Sequence, residues 1–236
     1  MARLLGGTGI TQVLAAEELA VATGTPLATL PGTTLPGAFP GSSSSSVPPS
    51  PAASSSAGPG TGSPVASCTT TRTQGGADLA SSLTSVVGAE QELVYAYQAA
   101  LTRLPPASLA PASDFLMQHE DLRHAARDAA AAQCAVLPPT PAGYALDAAF
   151  LADPAAALGV LEAGALPAYG DLVALSAGAG RGWALAALQT AARRTAFWGA
   201  SPGPVAGVIL DESALPQLPA ADRRPSPGGT PAPGTP

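Results

Sequence analysis

The sequence predicts an all-α protein, a four-helix bundle in which one long crossover joins the second and third helices. Three observations carry this expectation. Apolar residues recur at steps of three and four in four stretches between residues 78 and 210. Capping and stop signals bracket those stretches. The connections between them run short, long, short.

Asp78 follows Gly75-Gly76 and is placed to cap the first helix, whose stripe is Leu79, Leu83, Val86, Glu90, Leu93 and Tyr97 until Pro105-Pro106 stops it. The second helix is expected from Ser108 or Ser113 to before Pro138-Pro139, with Phe115, His119, Leu122, Ala126 and Ala129 on one face. Asp153-Pro154 is a cap and first-turn pair for the third, which carries Leu158, Glu162, Ala165, Tyr169 and Leu172. Pro167 lies inside that helix and is expected to kink it. After Gly178-Ala179-Gly180 the fourth is expected from Arg181 to about Gly199.

Short loops make helices one and two, and three and four, antiparallel hairpins. The second helix is ~36 to 44 Å long at 1.5 Å per residue. The connection from Pro138 to Ala152 spans up to ~50 Å when extended, enough to carry the chain across the bundle and start the third helix at the end where the second began. Two hairpins joined by one crossover form the ferritin-like pattern.

The remainder of the chain reads differently. From Thr25 to Gly76, Ser, Pro, Gly and Thr dominate and too few large apolar residues are present to form a core. Residues 1–77 are therefore expected to be a disordered arm, with at most a short isolated helix over 9–22. Residues 78–215 are expected to be the folded domain and 216–236 a disordered tail. The chain contains no lysine and no asparagine, so its abundant alanine reflects coding bias as much as helix preference. A net charge of -6 with scattered arginines offers no basic stripe for nucleic acid or an anionic membrane. No stretch approaches the ~20 apolar residues of a membrane span. Glu17 and Glu18 interrupt what would be the apolar segment of an export signal. Val65-Ala66-Ser67-Cys68 has the form of a lipoprotein cleavage box, but Ser, Gly and Pro precede it where an apolar run is required. The expected location is the cytoplasm, with the cell envelope as the alternative if the true start lies upstream. Cys68 and Cys134 fall in unlike settings, a polar linker and an apolar helix, so no disulfide framework is indicated.

Five stretches, AEQELVYAYQ, HEDLRHAARD, AGYALDAAF, LPAYGDLVAL and AARRTAFW, resemble the Ala-rich ferritin-like domain of unknown function found in high-GC bacteria. The resemblance covers roughly residues 78–210. It implies a ferritin-like fold and no particular activity.

A dinuclear iron or manganese site in that fold takes a Glu from each of two helices and a Glu-x-x-His pair from each of the other two. No such pair exists here: Leu93, Tyr95, Arg123 and Ala165 stand three residues after Glu90, Glu92, Glu120 and Glu162. The fourth helix offers neither an acidic residue nor a histidine. In QHEDLRH, residues 118–124, His119 lies within the apolar stripe, whereas His124 falls nearly opposite at about 100° per residue. Glu120, Asp121 and His124 therefore read as a solvated face. Cys134 has no acid or His nearby in sequence, and AGAGRG, residues 177–182, follows no strand, so neither a nucleophile nor a phosphate loop is supported.

Glu90, His119 and Glu162 occupy inward positions, and buried charges of this kind require partners. The expected cluster is Glu90, Tyr97, His119, Arg123, Glu162, Tyr169 and Arg194, in two layers: Glu90 with Arg123 and Tyr169, and Glu162 with Arg194 or His119. Trp183, Phe197 and Trp198 read as packing. The functional expectation is a binding or structural module without a cofactor, its polar cluster standing in place of a dinuclear centre. The alternative is an oxidoreductase with a degenerate or mononuclear iron or manganese site. No partner is indicated, and a homo-oligomer is left open.

Overall fold

Six helices supply the regular structure among the described residues, 1–25, 37–40 and 78–211 of a computed structural model, and no strand occurs there. They are α1 (Ala2–Thr23), α2 (Leu79–Ala100), α3 (Pro106–Ala132), α4 (Ala148–Ala152), α5 (Pro154–Leu175) and α6 (Gly178–Phe197).

Local chemistry sets most of the boundaries. Asp78 accepts from the Ser81 N–H at 2.7 Å and Ser81 Oγ accepts from the Asp78 N–H at 3.0 Å, a reciprocal capping box at the start of α2. The start of α3 is earlier than Ser108: Pro106 opens it, where its missing N–H costs nothing. At the other end Cys134 adopts φ 54°, and the N–H groups of Cys134 and Ala135 close back onto Ala131 and Ala130. Asp153 accepts from the Ala156 N–H at 3.1 Å and Pro154 forms the first turn of α5. That helix continues through Pro167 to Leu175. α6 begins at Gly178, three residues before Arg181. The short α4 inside the crossover escaped the sequence reading; Asp147 caps it and Phe150 buries its ring.

Two apolar clusters reveal the helix directions. One gathers Val86 and Val87, Leu122 and Ala126, Leu172 and Val173, and Ala184 and Leu188. The other gathers Leu93 and Tyr97, Ala112, Leu158, and Trp198. Chain numbers rise from the first cluster to the second along α2 and α6, and in the opposite sense along α3 and α5. Consecutive α3 and α5 thus run in the same direction, which only a connection crossing the whole core allows. α2 packs on α3 and α5, and α5 packs on α6.

Two expectations need correction. The first 25 residues are not an arm outside the fold, because α1 is a 22-residue helix packed on α5 and α6. Ile10 enters the core, Arg3 Nε donates to the Gly207 carbonyl at 2.7 Å and pairs with Asp171, and Arg193 forks onto Glu17. The close approach is made by glycines: a Cβ on Gly7 would lie 2.4 Å from the Ala206 carbonyl oxygen. The expected disorder of 26–36, 41–77 and 212–236 lies outside the described residues, as does the Val65–Cys68 box. Second, Cys134 is disulfide-bonded, and the only other cysteine in the sequence is Cys68. The expectation of no membrane span is consistent with the fold: α5 alone among the described helices is long and apolar enough by composition to cross a membrane, and half of its most apolar window is buried. It carries the fully buried Glu162, as the core helix of a folded protein can.

Candidate functional site: a buried charged layer

Between the two apolar clusters, four helices each contribute one carboxyl, imidazole or guanidinium side chain that water hardly reaches. Glu90 of α2, His119 of α3, Glu162 of α5 and Arg194 of α6 are each at most 1% exposed. Each sits where its helix passes from one cluster to the other, so the layer marks a common level across the core.

His119 occupies the middle. Its Nδ1 lies 2.8 Å from Glu90 Oε2 and its Nε2 lies 2.9 Å from Glu162 Oε1, so both ring nitrogens face carboxylate oxygens. An imidazole can satisfy both contacts as a donor only when it carries two protons. Arg194 Nε donates to the same Glu162 oxygen at 2.8 Å, and the Tyr97 hydroxyl does so at 2.7 Å. Glu90 Oε1 accepts from the Tyr169 hydroxyl at 2.5 Å. Trp198 Nε1 donates to the Tyr97 oxygen at 2.6 Å, and Arg194 Nη1 reaches Gln118 Oε1 at 3.4 Å. Two acidic and two basic side chains let the layer be electrically neutral with all four ionised, which is the condition for burying charge at a tolerable cost.

The titration shifts follow from this geometry. Burial pushes the Glu162 pKa up, but Arg194 and His119 outweigh it and hold the carboxyl at about 2. For His119, burial and the Arg194 charge act downward, while Glu90 and Glu162 together carry the net shift upward. Burial, reinforced by Glu162 for Tyr97 and by Glu90 for Tyr169, raises both phenols, so they remain donors. Burial opposes the Arg194 charge, yet Glu162 and Glu90 leave it more firmly protonated than in water.

This donor set does not fit a dinuclear metal centre. The imidazole stands between the two carboxylates and both its nitrogens are engaged, so no ring lone pair faces a shared cation. A guanidinium at 2.8 Å from Glu162 adds repulsion at the same point. No group of three or more His, Cys, Asp or Glu side chains among the described residues is arranged to hold a metal ion. Glu162 Oε2 and Arg194 Nη2 are buried without a hydrogen-bond partner.

Six of the seven residues expected in the cluster come together. Arg123 does not: it is half-buried on the flank of α3, outside the hydrogen-bonded set. The basic partner beside Glu90 is His119 instead, and a flank arginine can keep its head in water along its apolar stem. The expected two layers are therefore one, joined through the imidazole. Gln118 and Trp198 were not anticipated as members. A nearly buried indole needs an acceptor, and that requirement is the signal that could have identified Trp198. His124 and Asp121 are exposed and Glu120 is half-exposed, on the outer side of α3.

Residues 82–220 match the family described as a domain of unknown function, DUF4439. No curated protein and no solved structure matches the chain.

Proposed function

The chain belongs to the DUF4439 family, a domain of unknown function, and from that premise and the site geometry we propose a ferritin-like four-helix bundle that serves as a structural or binding module. In this reading the buried charged layer replaces a dinuclear metal centre. The observation that carries it is the placement of His119, whose two ring nitrogens each lie within 2.9 Å of a different carboxylate. The parallel run of α3 and α5, and the crossover between them, support the bundle topology. A layer in which each helix has a single matching partner level also fixes helix register, the best-attested use of buried ionic groups. The disulfide at Cys134 supports residence in an oxidising compartment, and so the cell envelope over the cytoplasm.

One observation favours the alternative of an oxidoreductase with a mononuclear site: Glu162 Oε2 is a buried acceptor without a donor. Metal analysis of protein purified without chelators decides between them. The structural reading expects substoichiometric iron and manganese and a melting temperature unmoved by chelator. Stoichiometric metal that disappears in the Glu90→Ala, Glu162→Ala double variant would overturn it.

A further inference from the structure

A cavity of about 220 Å³ opens on the outer side of α2, against the crossover and α5, away from the charged layer. Its floor is apolar and includes the buried Phe150 and the half-buried Leu161. Tyr95 and Tyr144 wall it, with ring centroids 5.7 Å apart and planes inclined at 53°. The Tyr95 ring is held close over the crossover, where a Cβ on Gly143 would lie 3.3 Å from its hydroxyl. Two exposed carboxylates, Glu92 and Asp147, line the mouth, and no Arg or His lines any part of it. Glu92 forms no ion pair among the described residues; Asp147 spends one oxygen on the Phe150 N–H at 2.7 Å.

We propose that this cavity binds a small organic ammonium ion bearing an apolar group, the group resting on Phe150 and Leu161 and the cation facing the two tyrosine rings beneath Glu92 and Asp147. Aromatic faces attract a cation within about 6 Å of the ring centroid, and they do so while an apolar substituent is buried beside them. The acidic mouth disfavours anions, and it raises the local concentration of cations at a chain whose formal net charge is -6. The Tyr144 phenol is pushed up by burial and then by the Glu92 charge, which places that carboxylate within electrostatic reach of the ring. The volume suits a ligand of roughly a dozen heavy atoms or fewer, below the usual range for drug-sized sites. The assignment does not depend on the charged layer, because Glu92 lies two residues from Glu90 and on the other side of α2.

The test uses the full chain with benzyltrimethylammonium as the probe, and benzenesulfonate and benzyl alcohol as comparators, followed by calorimetry and by backbone amide shifts. The expected result is one site, with shifts confined to residues around Tyr95 and 144–150 and no binding of benzenesulfonate. Tyr144→Ala weakens the probe about tenfold by removing a ring face, and Glu92→Gln weakens it by up to about fivefold, as suits an exposed charge. Both variants should melt as the parent does, and Glu92→Gln stands as an independent reading should Tyr144→Ala disturb the crossover. No binding up to the solubility of the probe, equal binding of benzenesulfonate, shifts elsewhere, or unchanged affinity in both variants would overturn the assignment.

Discussion

Arg194 and Glu162 meet at 2.8 Å between Nε and Oε1, and both side chains are all but sealed from water. A pair of this kind is costly to break and cheap to replace. Arg194→Met alone leaves the buried Glu162 with His119 as its one remaining cationic partner, and Glu162→Gln leaves the guanidinium without its direct carboxylate partner. Each is expected to lower stability by ~3 to 5 kcal/mol, whereas the Arg194→Met, Glu162→Gln double variant should lose much less than the sum. Urea titration of the four proteins measures the coupling, and strictly additive losses would refute a direct interaction.

The same layer dictates two opposite pH limbs. Glu162 is held at about 2 in the fold against 4.5 normally, so its contribution is complete above about pH 4.5 and drains away as pH falls toward 2. His119 is shifted upward from 6.5, so its contribution is complete below about pH 6.5 and is lost as pH rises through the folded value. Thermal melts should therefore show the layer at full strength between about pH 4.5 and 6.5. His119→Gln should flatten the alkaline limb; a limb that persists unchanged in that variant means the imidazole is not charged in the fold.

The two limbs were within reach of the sequence only in part. Spacing along each helix placed Glu90, His119, Glu162, Tyr97 and Tyr169 inward, because an apolar stripe at period 3.6 states which positions face the core. It does not state the rotation of a long side chain about its own bonds, so it cannot say whether Arg123, on the flank of the stripe, leans across toward Glu90 or stays at the surface. Nor does it give axial register to better than a turn, so His119 was not recognised as the bridge between both acids. The α1 helix was missed for a different reason. Its glycines Gly6, Gly7 and Gly9 lower helix preference, and the advantage of Gly7, contact with the 206 carbonyl, comes from residues two hundred positions away. The disulfide was equally out of reach, since nothing in the local setting of Cys134 announces a partner.

That disulfide yields a count. Protein unfolded in denaturant without reductant is expected to show no free thiol, and two per chain after reduction, because the sequence contains Cys68 and Cys134 and no other cysteine. Non-reducing peptide mapping should recover both cysteines in one linked species. Two titratable thiols in protein isolated from an oxidising medium would contradict the bond.

Two glycines of α5 should respond with opposite signs to the same substitution. A Cβ on Gly170 would sit 2.1 Å from the Gly207 carbonyl oxygen and 2.8 Å from Arg3 Nε, so backbone must move and the arginine that pins α1 must shift with it. Overpacking of this kind costs ~1 to 3 kcal/mol, more than the intrinsic helix gain of Gly→Ala returns. Gly164 lies on the same helix, exposed, with nothing within 4 Å of an added Cβ. There only the propensity term acts, so Gly164→Ala should stabilise by about 0.5 to 1 kcal/mol. Denaturation midpoints of the two variants test the docking of α1 and the 199–211 segment against α5. If Gly170→Ala proved as favourable as Gly164→Ala, the close backbone contact at Gly207 would not exist in solution, and α1 would have lost its anchor.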